Sequence, residues 1–309
     1  MTRGFDIAVC IILKNGCPWI ETSLPRILTQ RIDAPFEVIV VDSGSSDGSV
    51  EFVQRLCRES DNVRLICIAP SDFHHAKTRN FAAGLSQARF RVFLNGDAVP
   101  ADGLWLERLT APVTSGGARI ALSYSRQRSR ADVDTNNGCR IAFNYGPQSL
   151  VKSNEMQLTP KQRHMFSSVS CCVDTEVLGS PLFRDDIPVN EDVALAAQAL
   201  RDGLKVAYCA DSVVLHSHNL GYLEILRRSF DNAVVFQRLA IFDEQGPGVG
   251  RDGLDYLGAS LLGLQHRGVA AKTRFMLFFA CTAVGALLGK HYLKLPRRLA
   301  KHLSIYGTV

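Results

Sequence analysis

Ile7 to Leu13 (IAVCIIL) is an unbroken apolar run rich in β-branched residues, the signature of a strand buried on both faces. A loop, Lys14-Asn15-Gly16-Cys17-Pro18, separates it from a helical pattern over Trp19 to Gln30 that tolerates Pro25. Phe36 to Val41 (FEVIVV) predicts a second buried strand ending at Asp42. The polar, glycine-rich Ser43 to Ser49 then leads into a helix from about Val50 to Glu59. A third strand is expected over Val63 to Ala69 and a helix over Thr78 to Ala88. A fourth strand, Arg91 to Leu94, runs into Asn95-Gly96-Asp97, and Pro100 closes the turn. Strands alternating with helices at this spacing predict an α/β, doubly wound, mostly parallel sheet flanked by helices.

Further on, the pattern predicts a helix over Asp102 to Thr114, capped by Asp102, and a strand over Ala118 to Ser125. Arg126 to Phe166 has weak periodicity and is long for a structureless loop, so it reads as an insertion with some helix. An amphipathic helix over Val189 to Asp202 stops at Gly203. A strand follows at Lys205 to Cys209, then Val213-Val214-Leu215, and then a helix from Tyr222 to Phe242. Gly248 to Gly253 spells GxGxxG, but no strand precedes it, so it is expected to be a flexible linker and not a dinucleotide fingerprint. Phe275 to Gly289 carries no charge over fifteen residues, short of the roughly 20 that a bilayer span needs, and predicts a buried or interfacial helix.

Charge sharpens the picture of that last segment. The 309-residue chain has a net charge of +5, and residues 250–309 hold nine Lys/Arg against two Asp/Glu. Basic flanks around an apolar run fit an anionic membrane surface better than nucleic acid. Nine cysteines without a CxxC pair argue against a disulfide framework or zinc ribbon and for a reducing compartment. The first fifteen residues lack the basic start, apolar run and cleavage site of a signal peptide, so none is expected.

Candidate chemistry gathers at strand ends. In a parallel α/β sheet, ligands bind at the carboxyl ends of the strands, where Asp42 and Asp97 both fall. Asp97 is placed to hold a divalent cation, and Asp42 to accept from a base N–H or ribose hydroxyls. Arg79, near a helix start, suits a diphosphate. Each also has a plainer reading: turn residues for Asn95-Gly96-Asp97 and Asp42, a surface charge for Arg79. In Asn190-Glu191-Asp192 either carboxylate could be a general base, or could cap the helix. His216 and His218, two apart after a strand, share a side, and one could ligate the cation opposite Asp97.

Taken in order, IAVCIILKNG, VIVVDSGSSDGS, FHHAKTRNFAAG, VFLNGDAVP, NEDVALAAQALRDGLKVAY and VVLHSHN resemble family 2 glycosyltransferases of the GT-A fold. Within that family the chain looks most like bacterial rhamnosyltransferases of surface-polysaccharide (O-antigen type) assembly, with FHHAKTRN, VLHSHN and the tail LGKHYLKLPRRLAKHLS carrying the likeness. The resemblance covers nearly the whole chain and is weakest at Arg126 to His164.

It implies a Rossmann-like GT-A domain over residues 1–240, followed by a basic, partly apolar helical segment over 241–309. The nucleotide sugar would be bound by Asn15, Asp42, Ser43, Arg79, Asn95 and Asp97. A divalent cation, Mg²⁺ or Mn²⁺, would be held by Asp97 with His216 or His218, and Asp192 of the Glu191-Asp192 pair would be the base of an inverting displacement. Asn95 departs from the family, which often has a carboxylate there. The donor implied is dTDP-L-rhamnose. The acceptor is a polyprenyl-diphosphate-linked glycan at the cytoplasmic face of the inner membrane, with the insertion on the acceptor side. The rivals are a glycosyltransferase using another sugar, a nucleotidyltransferase (disfavoured because no GxGxR loop follows the first strand), and a degenerate nucleotide-sugar-binding protein.

Overall fold

The computed structural model describes residues 4–115, 119–243 and 249–309. Its first half follows the hydrophobic pattern closely. Strands β1 (Ile7–Leu13), β2 (Phe36–Asp42), β3 (Val63–Cys67) and β4 (Phe90–Asn95) alternate with helices α1 (Trp19–Leu28), α2 (Ser49–Glu59) and α3 (His75–Gly84). All four strands run parallel, in the order β3-β2-β1-β4. Leu13 pairs with Asp42 and Ile12 with Asn95, which sets the carboxyl ends of β1, β2 and β4 level with one another. β1 is buried almost throughout, with a different set of core residues on each side of the sheet, as its unbroken apolar run requires.

The second half is mixed. It contains β5 (Val99–Pro100), α4 (Trp105–Thr114), β6 (Ile120–Arg128), α5 (Thr135–Asn144), β7 (Leu150–Lys152), α6 (Pro160–His164), β8 (Ser170–Asp174), α7 (Thr175–Leu178), α8 (Glu191–Arg201) and β9 (Lys205–Leu215). β8 inserts antiparallel between β4 and β6, β6 and β9 run parallel, and β5 and β7 pair antiparallel with β9. The short run SCCVD carries no alternation and ends on an aspartate, so its pattern gives no sign of β8. It is nevertheless buried at all five positions. Beneath these strands Trp105 donates its indole N–H to Ser170 and Ser125, tying α4 to β8 and β6.

Several boundaries move for local reasons. α4 begins at Trp105 because Asp102 takes the Leu104 N–H instead of capping the helix, and Gln30 receives the Leu106 N–H. β9 is one strand of eleven residues, and an irregularity opposite Ser125 and Arg126 absorbs its misfit with β6. The insertion supplies α5, β7 and α6.

The C-terminal part is helical: α9 (Tyr222–Arg238), α10 (Val249–Gly263), α11 (Val269–Lys290) and α12 (Arg297–Leu303). The linker expected at Gly248 to Gly253 is corrected here. Val249–Gly253 opens α10, because Asp252, Tyr256 and Ser260 recur every fourth residue and are all buried; Gly248 lies outside the described residues. α11 is long and apolar enough to cross a membrane by length and composition alone. One side of it packs on α9 through Phe278, Gly285 and Gly289, while Leu277 and Leu287 on the other remain 53% and 61% exposed.

Glycine at 285 and 289 is what lets the two helices touch. A Cβ at Gly285 would stand 2.1 Å from the Leu226 carbonyl oxygen, and one at Gly289 would stand 2.2 Å from that of Phe230. Gly289→Ala is therefore expected to cost about 1–3 kcal/mol in urea unfolding by forcing the helices apart. Gly258→Ala in α10, where an added Cβ meets nothing within 4 Å, should be neutral or stabilising by up to about 1 kcal/mol. Equal stability of the two variants would disprove the close packing of α11 on α9.

Candidate active site

A cleft opens at the carboxyl ends of β1 and β4, with a cavity of about 420 Å³ lined by Asn15, Trp19, His75, Arg79, Asn95, Asp97, Arg130 and His218 among others. At one edge of it lies a three-residue cluster of Asp97, His216 and His218. β5 pairs Val99 with Leu215, and carrying that antiparallel register two residues further brings Asp97 opposite Ser217, between the two histidines. His216 Nε2 lies 3.5 Å and His218 Nε2 3.4 Å from Asp97 Oδ2. One ligand atom from each residue lies within 4.8 Å of the others.

The chemistry of this cluster suits a divalent cation. His216 Nδ1 is 2.9 Å from Gln127 Oε1, and the Gln127 amide nitrogen in turn donates to Ser167 and Tyr145. With Nδ1–H donated to Gln127, the Nε2 lone pair faces the cluster; that atom is buried and has no hydrogen-bond partner. Burial favours the neutral form of Asp97, but His216, His218 and Arg130 hold its carboxyl down to about 2. Burial, together with the charge of His216, pushes His218 down to about 4 against the opposing pull of Asp97. At neutral pH, then, Asp97 is anionic and His218 is a neutral imidazole, the forms that ligate metal.

Arg79 spans the floor between this cluster and the start of α8. It donates through Nη1 to Glu191 Oε1 at 2.5 Å and through Nη2 to Asn95 Oδ1 at 3.0 Å, and both members of the ion pair are buried. Its Nε is buried without a partner. Asp192, the next residue, is turned away from Arg79 and accepts from the Ser168 N–H at 2.9 Å and the Ser168 hydroxyl at 3.1 Å. Burial and the neighbouring Glu191 charge raise Asp192 to about 6, against the Ser168 N–H and Arg79.

The nucleoside-side residues divide between the cleft and the turn beside it. Asp42 is buried, with Oδ2 taking the Gly44 and Ser45 N–H groups and Oδ1 the Ser45 hydroxyl. Ser43 is buried against the Leu13 carbonyl. Both therefore build the turn beside the cleft and do not line it. Asn15 does line it, at φ 49°, cross-linked to that turn through Ser45 and Ser46.

Some residues escaped the sequence reading. Arg130 stacks 4.0 Å over Trp19 and donates to the Asp97 carbonyl at 2.9 Å, closing the cleft from the insertion. It sits where periodicity is weakest, and nothing in its neighbourhood marks it. Gln127 and Ser168 were missed for the same reason. His75 lay inside the FHHAKTRN segment, unassigned.

A mostly parallel sheet flanked by helices, with an aspartate just beyond β4 at the strand-end cleft, is a GT-A fold of the kind seen in glycosyltransferases. The family model for glycosyl transferase family 2 matches residues 8–174, and the chain belongs to that family. It is 30% identical over 287 residues to the O-antigen chain rhamnosyltransferase RfbN of Salmonella typhimurium, covering 91% of this chain and 88% of the relative. It is 28% identical to the O-antigen chain rhamnosyltransferase WbaN of Salmonella anatum, over 90% and 87% of the two chains. Among solved structures, the mannosyltransferase PcManGT of Pyrobaculum calidifontis, in complex with GDP-Man and Mn²⁺, superposes with a TM-score of 0.62 at 18% identity, over 95% of this chain and 89% of that one.

The metal reading yields a direct test. Gln127→Leu should lower Mn²⁺ affinity about 10–100-fold by calorimetry, since it releases the His216 ring, and Asp97→Asn should abolish binding. Unchanged Mn²⁺ affinity in both variants would remove the cluster from consideration as a metal site.

Proposed function

We propose that the protein is an inverting, metal-dependent rhamnosyltransferase that uses dTDP-L-rhamnose and acts on a polyprenyl-diphosphate-linked glycan. The observation that carries this reading is the coexistence, on either side of Arg79, of a preformed Asp–His–His cluster and a carboxylate whose acidity is shifted close to neutral. The O-antigen rhamnosyltransferase relatives support the sugar and the acceptor class.

In this scheme Asn15 and the turn held by Asp42 and Ser43 shape the nucleoside end of the cleft. Arg79, with its unpaired Nε, and Arg130 face the diphosphate. Asp97, His216 and His218 would hold Mg²⁺ or Mn²⁺, which when bound supplies positive charge to the leaving nucleoside diphosphate. The acceptor oxygen attacks the anomeric carbon as the bond to the diphosphate oxygen breaks on the opposite face, and the hydroxyl proton passes to Asp192. Glu191 is committed to Arg79, so Asp192 is the carboxylate of the pair left for that proton.

Residues 1–240 would form the catalytic domain, and 241–309 its membrane-facing extension at the cytoplasmic side of the inner membrane. Leu277, Leu287 and Leu293 (80% exposed) lie among the lysines and arginines that follow Arg274, a combination that suits an anionic bilayer surface.

The substrate reading is tested by a panel of nucleotide sugars with and without Mn²⁺. dTDP-L-rhamnose should raise the melting temperature most, and only with the metal; a larger shift from another nucleotide sugar would reassign the donor. For the mechanism, Asp192→Asn should lower the transfer rate by roughly 10²–10⁴-fold with donor binding nearly unchanged. Because Asp192 is raised to about 6, the base is protonated below that value, so the wild-type rate should fall about tenfold per unit as pH drops beneath it. Glu191→Gln leaves Arg79 buried without its counter-charge and should cost about 3–5 kcal/mol of stability. An Asp192→Asn enzyme with wild-type turnover and a flat acid limb would sink the assignment. On the membrane side, Leu277→Glu with Leu287→Glu should abolish sedimentation with phosphatidylglycerol vesicles without changing the melting temperature, and retained sedimentation would refute the surface.

A further inference from the structure

Lys152 ends β7 as a buried side chain, 1% exposed, with no carboxylate paired to it among the described residues. Taking a lysine amine out of water is costly, so its partners must account for its place. Its Nζ donates to the Met165 carbonyl and, at 3.4 Å, to the Gln162 carbonyl, and lies 3.2 Å from the Tyr124 hydroxyl. Burial pushes the amine down to about 7. These partners suit either protonation state. The ammonium donates three times, and the neutral amine donates to both carbonyls while its lone pair accepts from Tyr124. The hold on Met165 therefore persists across neutral pH.

Met165 opens a stretch with no ladder of its own, between the end of α6 and the start of β8 at Ser170. Contacts made one residue at a time set its position. Phe166 lies edge-on to Tyr124, with ring centroids 5.6 Å apart. Ser167 Oγ accepts from the Gln127 amide at 2.9 Å, and Gln127 Oε1 is 2.9 Å from His216 Nδ1. Ser168 donates its N–H and its hydroxyl to Asp192 Oδ2, at 2.9 and 3.1 Å. The Val169 carbonyl accepts the Asn95 N–H at 3.0 Å. Two adjacent serines thus reach the two halves of the site, one toward the Asp–His–His cluster and the other toward the second carboxylate. Asn95 holds the far end of the stretch, and Lys152 holds the near end.

We infer that Lys152 is a positioning residue for both halves of the site: by holding the Met165 and Gln162 carbonyls it fixes the Met165–Ser168 stretch, which sets the His216 ring through Ser167 and Gln127 and sets Asp192 through Ser168. That role rests on the functions proposed above for His216 and Asp192. Without the amine both carbonyls are left unpaired in the interior, and the stretch must shift to find other partners. The Ser168 N–H favours the charged form of Asp192, so weakening that bond raises the carboxyl further. The charged and titratable groups facing Asp192 are Glu191, Arg79, His75, Tyr145 and Cys171, and none of them is a partner of Lys152.

Hydrolysis of dTDP-L-rhamnose by the full-length protein with Mn²⁺, followed against pH, provides the test, beside Mn²⁺ calorimetry and amide hydrogen exchange. Lys152→Met keeps the apolar stem and removes the donors. It should lower the rate about tenfold and move the acid limb upward by about 0.5 unit or more. Mn²⁺ affinity should fall about 3–10-fold, and the Ser168 amide should exchange about tenfold faster. Val53→Ala, a core change in α2 away from the cleft, should lose stability and leave the limb, the metal affinity and Ser168 exchange where they are. A folded Lys152→Met protein with wild-type limb, Mn²⁺ affinity and Ser168 exchange overturns the assignment, and so does an equal shift of the limb in Val53→Ala. Should Lys152→Met fail to fold, Tyr124→Phe decides, since it removes one partner of the amine and keeps the ring against Phe166. A smaller upward shift with faster Ser168 exchange supports the anchor, and wild-type values of both overturn it. Failure of the proposed function would show separately, as a wild-type protein with no acid limb near pH 6 and no Mn²⁺ binding. Ser168 exchange in Lys152→Met then still decides whether Lys152 holds the stretch.

Discussion

The Arg79–Glu191 ion pair is the contact on which the site's geometry depends. Removing two charges from water is costly, and a buried pair is tolerated only where good geometry and further hydrogen bonds satisfy both ions. Here Arg79 adds Asn95 Oδ1 and the His75 carbonyl to its carboxylate partner. Those bonds join the N-terminal turn of α3, the end of β4 and the first residue of α8, three pieces that also share one hydrophobic core. With Glu191 fixed, Asp192 one residue later must point elsewhere, toward Ser168. Its acidity then follows from burial and from the charge of Glu191 beside it. The ion pair sets both the position of the second carboxylate and its proton affinity.

A second constraint is the register of β5 on β9. Asp97 and the histidines are about 120 residues apart in the chain, and the pairing of β5 with β9, together with Arg130 bridging the Asp97 and Ser217 carbonyls, brings them together. β9 can reach that far because it continues past its irregularity opposite Ser125 and Arg126 instead of ending at Cys209. The same stretch of β6 that absorbs the irregularity also presents Gln127 to His216. One local defect in strand pairing thus positions a ligand and the residue that orients it.

This explains what the sequence made legible and what it did not. β1, β2 and β4 are buried runs, and buried runs announce themselves, so the parallel half and the level of Asp42, Asn95 and Asp97 could be read directly. Asp97, His216 and His218 stood out as polar residues at the ends of such runs. β8 could not be read, because five buried residues with a serine at one end and an aspartate at the other have no periodicity to detect. Arg130, Gln127 and Ser168 owe their places to tertiary contacts with Trp19, His216 and Asp192, and local pattern holds no trace of such contacts. Asp42 was legible as a strand-end carboxylate, but its engagement by the turn it supports was not, since that depends on the backbone conformation of Gly44 and Ser45.

Asn95 is the clearest departure from the family pattern, and its surroundings supply a reason for it. A carboxylate at that position would give Arg79 a second anionic partner and set a further negative charge between Glu191 and Asp97, in a cleft that must accept a diphosphate. The amide oxygen holds the guanidinium without adding charge. On the proposed function, the Asp97 cluster would then offer a cation one carboxylate and two imidazoles. Asparagine at 95 and the histidine pair at 216 and 218 would be two parts of one solution: less negative charge on the floor of the cleft, and ligands supplied instead from the segment that follows β9.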